Sequence, residues 1–527
     1  GDEFGNTYVA GDHTEPTAFD NVTVDNDGWG TMYVTKYNAL GEPEWARSIR
    51  GNSNNAMRCI TYHNGMVFVS GFYKQTNDLT ILDFGELAVE GGLEDNLFLA
   101  AIAADGNWQW VRTIQTTDDS GPTQTTSPEE MIALPDGRLI IAGYCETSSV
   151  NIDGTVIPAN EDGSMFMASY MSDGTFSWFK PAAEGILDEI ELTYDETGVY
   201  FGGDLDFQSM VFDGQTLPDI DGTEENILLG KIDPLGNLLW WWPAGNFSGI
   251  VTFGGLDIHP DGDLRVSIRT SGFNGVTING VEYEANESTE AIFRIQENGD
   301  VSSFYSVYSG WGEFSGSDLR VEEVVNGPSG NTYVTGHLEA PGLFGFQPVF
   351  FGDTIGMQGS WESFIAAYNA EGAYLGVFPL SFPEANGGET WTTEMAVDDA
   401  GDLIITGFFE EDLNIGDFNL DGQAIDQMFV CKLDPSTAFS TVNSVREIVL
   451  LNASLYPNPF QEQVHVSWES GQGPTAITLL DLQGRIIQRA FTRKDHLQMN
   501  LSELASGSYL LKVSNEQGSA QKILVKQ

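Results

Sequence analysis

A short strand-like signature recurs seven times in this chain and constrains its fold more than any other feature. The copies lie at residues 5–11, 65–71, 137–143, 198–203, 262–268, 330–336 and 401–407, and the first and last read GNTYVAG and GDLIITG. From Gly5 to Gly401, six intervals cover 396 positions, which gives a mean period of 66 residues. A fixed period of this size is typical of a repeat array or a propeller.

Each repeat carries further strand-like runs around its signature. About twenty residues downstream comes an apolar run such as MYVTKY from Met32, then a Gly turn and a strand with an aromatic residue, as at Gly41 and Trp45. Another run precedes each signature from the second onward, as in MRCITY from Met57. Short runs rich in Val, Ile, Phe and Tyr between Gly, Asp and Asn are typical of strands. Four strands in each of seven repeats predict an all-β fold, a seven-bladed β-propeller over residues 1–442.

The charge of the chain limits its partners. It contains 22 Lys and Arg against 77 Asp and Glu, a net charge of -55. From Asn452 onward the balance is about +1, so the preceding residues carry about -56. Such a surface repels phosphate backbones and anionic lipid, which argues against nucleic-acid binding. The sequence contains no run of eighteen apolar residues, so it predicts no membrane span. Solubility in a saline exterior explains the charge more simply than bound calcium does.

The composition changes near Val442. Residues 453–527 contain six short alternating strands, a size and pattern that predict a small immunoglobulin-like β-sandwich. Residues 443–452 are either a linker or a ring-closing segment. Because the first repeat lacks the strand that should precede its signature, we predict that residues 446–451 pair beside residues 7–10 and close the first blade. Since Gly1 already lies inside a repeat, a processed N-terminus is expected.

Three motifs occur in order at the C-terminus: LYPNPF at 455–460, DLQGR at 481–485 and LSELASGSYLLKV at 501–513, with Lys526 beyond them. Together they resemble the type A C-terminal sorting domain of the type IX secretion system of Bacteroidota, over roughly residues 453–527. The motif positions are Tyr456, Pro457, Asn458, Pro459, Asp481, Gly484, Gly507, Tyr509 and Lys526.

The resemblance implies a secreted or cell-surface protein that is exported across the outer membrane. It also implies that the type IX translocon and its outer-membrane shuttle barrel are the partners of residues 453–527. A sortase-like peptidase would then remove the domain and either attach the cargo to lipopolysaccharide or release it. The repeats are similar to β-propeller repeats of secreted bacterial proteins, a likeness that carries no activity with it.

Catalytic and metal signals are weak in this sequence. A nucleophile elbow, HExxH, a P-loop and sialidase-type Asp boxes are all absent, so we assign no catalytic residue and no certain cofactor. Acidic Gly turns offer oxygen ligands of the kind that a calcium loop needs, at Asp25, Asp27, Asp219, Asp221 and Glu224. The favoured alternative is that these carboxylates cap their own turns.

The connections between the second and third strands of each repeat are long, and antiparallel pairing places them on one side of a propeller. Long loops on a rigid scaffold usually carry recognition. The aromatic candidates for a binding face are Trp29, Tyr73, Phe207, Phe273, Phe344, Phe346 and Trp361. The tryptophans at the constant third-run offset, such as Trp45, are expected to fill the wedge between blades instead.

Three classes of function remain open. We favour a surface protein whose propeller binds a ligand, a glycan or another surface molecule, in adhesion. The alternatives are a secreted glycan-active enzyme, which needs carboxylates, His or Tyr converging in the central funnel, and a passive structural module of the envelope.

Overall fold

Each of the seven signature copies forms a strand of a separate antiparallel sheet in a computed structural model of the protein. The chain divides into two compact units, Gly1–Ser440 and Thr441–Gln527, here called the first and second units. The structure describes residues 1–527 except 14–16, 20–21, 25–30, 52–54, 75–80, 91–94, 118–124, 206–209, 218–225, 246–250, 271–275, 279–280, 284–288, 308–317, 340–348, 351–352, 355–360, 382–388, 399, 423–426, 440–452, 469–474, 481–485, 493, 495, 503, 516–517 and 527.

In chain order, the strands of the first four repeats are β1 (Thr7–His13), β2 (Thr17–Phe19), β3 (Val22–Val24), β4 (Thr31–Tyr37), β5 (Pro43–Ile49), β6 (Asn55–His63), β7 (Met66–Lys74), β8 (Ile81–Asp83), β9 (Ala88–Glu90), β10 (Asp95–Ala103), β11 (Trp108–Thr116), β12 (Thr125–Ala133), β13 (Arg138–Glu146), β14 (Ser149–Ile152), β15 (Thr155–Pro158), β16 (Ser164–Met171), β17 (Phe176–Pro181), β18 (Leu187–Asp195), β19 (Gly198–Leu205), β20 (Val211–Phe212), β21 (Gln215–Thr216), β22 (Asn226–Ile232) and β23 (Leu238–Gly245).

The later repeats and the second unit contain β24 (Val251–Ile258), β25 (Leu264–Thr270), β26 (Val276–Ile278), β27 (Val281–Tyr283), β28 (Thr289–Ile295), β29 (Val301–Ser306), β30 (Asp318–Asn326), β31 (Thr332–Glu339), β32 (Val349–Phe350), β33 (Asp353–Thr354), β34 (Trp361–Tyr368), β35 (Tyr374–Ser381), β36 (Thr390–Val397), β37 (Leu403–Phe409), β38 (Leu413–Ile415), β39 (Phe418–Leu420), β40 (Gln427–Leu433), the helix α1 (Pro435–Ala438), β41 (Ala453–Tyr456), β42 (Gln463–Trp468), β43 (Thr475–Leu480), β44 (Ile486–Thr492), β45 (His496–Asn500), β46 (Gly507–Asn515) and β47 (Gly518–Lys526).

Each repeat contributes one sheet, which we number one to seven along the chain. In each of sheets two to six, the four strands of the sheet's own repeat occur in the order that the sequence predicts, for example β12-β13-β16-β17 in sheet three. Sheet one has β1-β4-β5 and sheet seven has β36-β37-β40 within the described residues. The first and last sheets are neighbours, because the Tyr33 hydroxyl donates to the Met428 sulfur. The all-β class is confirmed. The strand predicted at 446–451 lies outside the described residues, so ring closure stays a prediction.

The hydrophobic core lies between consecutive sheets. Phe68 of sheet two packs in one buried cluster with Ile141 and Tyr170 of sheet three. Tyr200 of sheet four packs likewise with Phe293 of sheet five. Because each sheet buries both faces, its central strands are apolar along their whole length, which is why the signature runs are continuous rather than alternating.

In sheets one to four, a tryptophan of the fourth strand joins the sheet to the next one, in addition to filling the wedge between them. The Trp110 indole N–H donates to the Ser172 carbonyl in the following sheet at 3.1 Å, and Arg112 lies over the Trp110 ring and donates to the Gly174 carbonyl. Trp45 and Arg47 repeat the arrangement one sheet earlier. Since the acceptors are the turn carbonyls before the next fourth strand, this contact fixes the relative height of neighbouring sheets.

The long connections between second and third strands contain hairpins, three of which pair with the outer strand of a sheet. β14 and β15, from the third repeat, pair with β11, the outer strand of sheet two. The hairpins β26-β27 and β38-β39 pair in the same way with β23 and β35 of the preceding sheets. An uncovered outer strand invites edge-to-edge association, so these connections protect the sheets that they cross.

The second unit is a small sandwich of two sheets, β41-β42-β45 and β44-β43-β46-β47. Its core contains Val466, Ile477, Leu511 and Leu524, all fully buried. Within the described residues, no helix of the protein has the length and apolarity that a membrane crossing requires.

The tryptophan contact predicts a specific loss of stability. Trp110→Phe removes the hydrogen bond to Ser172, and we expect it to lower the free energy of unfolding of the first unit by about 1 kcal/mol beyond the loss of ring area. Trp108→Phe on the same strand is the matched control, because this indole contacts Phe84 by its edge instead of joining the next sheet. Chemical unfolding followed by tryptophan fluorescence measures both, and equal losses would contradict the proposed contact.

Candidate functional site: a carboxylate-lined central cavity

The signature glycines shape the first strands of the sheets. Opposite Gly143, β12 contains a bulge between Pro128 and Glu130, and a Cβ on Gly143 would lie 2.2 Å from the Ser127 carbonyl oxygen. A Cβ on Gly407 would likewise lie 2.1 Å from the Trp391 carbonyl oxygen, opposite the bulge in β36. An extra residue in one strand needs a glycine where the partner backbone approaches this closely. The last glycine of the signature therefore marks the bulge.

The bulges bring glutamates from four sheets to one cavity. Glu130 of β12, Glu191 of β18, Glu323 of β30 and Glu394 of β36 each directly follow the register shift in their strands. All four line a cavity of about 450 Å³, which continues into a second space of about 300 Å³ that the same side chains line. We call the two spaces together the central cavity.

Some of the cavity carboxylates join neighbouring sheets. Glu191 Oε2 accepts the backbone N–H of Leu256 at 2.7 Å, so sheet four is bonded to sheet five. Asp257 accepts from the Asn326 backbone N–H at 2.8 Å and links sheet five to sheet six. Glu129 accepts from the Ile190 backbone N–H at 3.2 Å. Because the edges of first strands offer unpaired N–H groups, these carboxylates satisfy donors that would otherwise be buried alone.

Other cavity carboxylates make no such link. Glu130 and Glu323 accept only the N–H of the next residue in their own strand, at 2.8 and 3.2 Å among the described contacts. Glu394 has no hydrogen-bond donor in the described part of the chain, and its side chain is exposed to the cavity. These three glutamates are therefore available to a ligand.

The electrostatics of the cavity favour an incoming cation or proton. Burial raises the pKa of Glu394 to about 7, and burial together with repulsion from Glu394 raises the pKa of Glu130 well above its usual range. Burial raises the pKa of Glu129 to about 7 in spite of its bond to Ile190, and that of Asp257 to about 6. Arg58 is the basic residue of the lining.

A group of aromatic rings lies beside the cavity between sheets six and seven, and we call it the aromatic shelf. Trp361 and Trp391 stack with centroids 4.8 Å apart, and the His337 ring lies 4.2 Å from Trp391. Phe408 also stacks on Trp391. His337 Nδ1 is 2.9 Å from an oxygen of Glu322, which lines the cavity. The shelf thus borders the cavity at Glu322.

The site residues predicted from the sequence lie outside the central cavity or outside the described residues. Tyr73 is fully buried, so its ring cannot meet a ligand from solvent. Trp361 belongs to the aromatic shelf. The other aromatic candidates, Trp29, Phe207, Phe273, Phe344 and Phe346, lie outside the described residues. The same holds for the calcium candidates Asp25, Asp27, Asp219, Asp221 and Glu224. Among the described residues, no three His, Cys, Asp or Glu side chains are arranged to hold a metal ion.

Sequence reasoning missed the cavity glutamates, although a signal was present. Glu130, Glu323 and Glu394 each precede the last glycine of their signature, Gly143 in the first case, by 13 positions. In so acidic a chain, no single carboxylate stands out, but a carboxylate at a constant distance from a repeated glycine does.

The motif residues of the second unit hold its last strand in place. The Asn458 side chain donates to the Ile523 carbonyl at 2.8 Å and accepts from the Val525 N–H at 2.9 Å. Lys526 is buried, and its Nζ donates to the carbonyls of Leu501 and Ser502 at 2.7 and 2.6 Å.

The other motif positions are more varied. The Tyr456–Pro457 and Asn458–Pro459 peptides are cis, and Tyr456 is exposed and stacks on His465. Tyr509 donates to the Ala505 carbonyl, and Gly507 pairs with Lys526 across β46 and β47. Asp481 and Gly484 lie outside the described residues.

A family model of the secretion system C-terminal sorting domain matches residues 454–527. The second unit is a type IX secretion sorting domain. This domain marks proteins that are exported across the outer membrane to the cell surface or the extracellular space, and the protein is such a cargo. Among curated proteins, none matches the chain.

Solved structures resemble the chain only distantly. A protein of unknown function from Bacteroides caccae is 13% identical over 62% of this chain and 90% of its own, with a TM-score of 0.25. PorZ, a surface component of the type IX secretion system of Porphyromonas gingivalis, is 11% identical over 96% of this chain and 86% of its own, with a TM-score of 0.19. A fungal alcohol oxidase in complex with copper is 10% identical over 100% and 95%, with a TM-score of 0.35. At such scores these likenesses carry no functional argument.

The raised carboxylate pKa values predict how stability depends on pH. A carboxylate with a higher pKa in the folded state than in the unfolded chain binds its proton more tightly when folded. Its contribution to stability is present below the unfolded pKa, near 4, and is lost as pH rises through the folded value, near 7 for Glu394. We therefore expect the thermal unfolding midpoint to fall between pH 5 and pH 8.

Glu394→Gln tests the source of that dependence. We expect the variant to be more stable than the wild type at pH 8 and to show a flatter pH profile, because it removes the carboxylate whose pKa is raised to about 7. Glu161→Gln, in an exposed turn, removes one charge outside the cavity and is the matched control. Parallel profiles for the two variants would place the pH dependence in the overall charge instead of the cavity.

Proposed function

We propose that this protein is a cell-surface binding protein in which the first unit is a seven-bladed β-propeller that receives a ligand in the central cavity. The second unit directs export of the protein. The observation that carries the proposal is the cavity carboxylate of Glu394, which has no hydrogen-bond donor among the described residues although burial disfavours its charge. A carboxylate with a raised pKa that faces a cavity and lacks a hydrogen-bond donor of its own is typical of a functional site.

A second candidate, a secreted glycan-active enzyme, has one observation in its favour. A carboxylic acid with a pKa near 7, as for Glu394, is suited to general acid catalysis at neutral pH. Against it, the larger part of the cavity has Phe253 as its aromatic lining residue, whereas sugar rings usually stack on aromatic platforms there. We therefore favour binding over hydrolysis, and over a purely structural role in the envelope.

The delivery part of the proposal names the partners of the second unit. We assign residues 453–527 to the type IX translocon and its outer-membrane shuttle barrel in a member of the Bacteroidota. The segment 443–452 before it is the proposed site of cleavage. The support is the sorting domain itself, whose last strand is held by Asn458 and Lys526.

Lys526→Ala should abolish surface delivery. The change removes two hydrogen bonds from a buried ammonium group and releases the end of β47. Lys522→Ala on the same strand is the matched control, because Lys522 is exposed. Protease accessibility on intact cells, with the periplasmic pool measured by immunoblot, distinguishes them. If Lys526→Ala reaches the surface in normal amounts, the bonded C-terminal strand is not part of the sorting signal.

Binding should depend on the cavity. We expect the full-length protein to bind members of an array of glycans and charged small molecules, probed with and without calcium, and Glu394→Gln to weaken binding at least tenfold. Glu161→Gln should leave binding unchanged. If the Glu394→Gln variant still binds an array ligand, that ligand binds elsewhere. If the wild type releases sugar products from a glycan and the variant does not, the enzyme hypothesis is favoured.

A further inference from the structure

The chemistry of the central cavity narrows the class of ligand that it can take. Carboxylates from five successive sheets, three to seven, line it, and Arg58 is the one basic residue among its described lining residues. The surrounding residues of the first unit carry most of the net charge of -55. A cleft of one sign within a low-dielectric wall concentrates ligands of the opposite sign. The cavity therefore selects cations.

The size of the cavity favours an organic cation. A volume of about 450 Å³ falls within the range of small-molecule sites. Glu130, Glu323 and Glu394 project from separate strands, so a ligand that contacts all three must extend between them. An ammonium or guanidinium group on a carbon chain has this extent, and a guanidinium can donate to two carboxylates at once.

The aromatic shelf offers an aromatic surface for the carbon portion of such a cation. Trp391 precedes Glu394 by three positions on β36, so one strand presents both an indole and an unpaired carboxylate. Cations are attracted to the faces of tryptophan rings. The indole of Trp391 is half-buried, and thus part of its surface is open to solvent.

His337 is a second, independent sign of a missing partner at this place. Its side chain is 1% exposed, and its Nε2 has no hydrogen-bond partner among the described residues. Nδ1 lies 2.9 Å from Glu322, which faces the cavity, without the alignment of a hydrogen bond. The buried Nε2 atom is costly to leave unpaired unless a ligand or a water molecule completes its hydrogen bonding.

We infer that the central cavity binds an organic ammonium or guanidinium group, held by Glu394, Glu323 and Glu130, with its carbon portion against Trp391. This inference rests on the proposed binding function and specifies its ligand class. The same chemistry is available from two sources, a free small amine and a Lys or Arg side chain of another protein, and the experiment separates them.

The decisive measurement is calorimetric titration of the full-length protein with butylguanidinium and with butylurea, a neutral molecule of nearly the same shape. We expect saturable binding of butylguanidinium that weakens with rising salt, and no binding of butylurea. Equal binding of the two, or binding of neither, would overturn the inference. An acetylated and amidated peptide with a single arginine forms the third arm: tighter binding than butylguanidinium indicates a protein source, and weaker binding indicates a free amine.

Variants place the ligand in the cavity. Glu394→Gln should weaken butylguanidinium binding at least tenfold and Trp391→Ala several-fold, whereas Glu161→Gln should have no effect. Should Trp391→Ala fail to fold, Glu323→Gln replaces it, with an expected loss of at least fivefold. Undiminished affinity in both Glu394→Gln and Glu323→Gln would refute the site.

The outcome also distinguishes this inference from the proposed function. If butylguanidinium does not bind but calcium or a neutral glycan does, and Glu394→Gln abolishes that binding, the cavity is a ligand site and only the ligand class is wrong. If neither these probes nor any array member depends on Glu394, both proposals fail.

Discussion

The close approach of a bulged carbonyl group to a signature glycine is the constraint on which the site depends. At Gly143 and Gly407 the partner carbonyl lies where any Cβ would stand, at 2.2 and 2.1 Å. The bulge shifts the strand by one residue, and a shift of one reverses the face that each later side chain occupies. Glu130 and Glu394 follow directly after such shifts. Without the glycine, the bulge and the placement of these carboxylates would both be lost. The fifth repeat shows the alternative solution: Ile268 replaces the signature glycine, and Gly254 and Gly255 lie within the bulge itself.

The acidic residues of the cavity divide into two groups with different physical roles. Glu191 and Asp257 accept hydrogen bonds from backbone N–H groups of the next sheet, which offsets part of the cost of desolvating them. Glu394 makes no such bond among the described contacts, and its side chain is exposed to the cavity. Two carboxylates that look identical in sequence thus differ in whether they stabilise the fold or face the cavity. The same distinction explains why substitutions at Glu191 and Glu394 are not equivalent probes.

In both units, a few short contacts hold strands in place or cover sheet edges. The hairpin β14-β15 pairs with the outer strand of the preceding sheet, and the Trp110 indole fixes the height of that sheet against the next one. In the sorting domain, the Asn458 side chain and the Lys526 ammonium hold the last strand by backbone contacts. The motif of a sorting domain is therefore, in its described part, a set of residues that maintain a particular C-terminal strand. A recognition surface built on that strand depends on the same residues.

The sequence alone determined the features that depend on local or periodic patterns. The 66-residue period, the four strand-like runs and the aromatic offset predicted an all-β chain, because strand formation and repeat spacing are written in neighbouring residues. The motifs around Asn458 and Lys526 predicted the sorting domain, since they occur together in a short C-terminal segment. Tertiary structure decided the rest. Tyr73 looked like a loop aromatic, yet sheet packing buries it, and the long connections that suggested recognition loops are in part hairpins on neighbouring edges. The convergence of Glu130, Glu323 and Glu394 joins residues up to 264 positions apart in the sequence, and only the closing of successive sheets around one cavity brings them together.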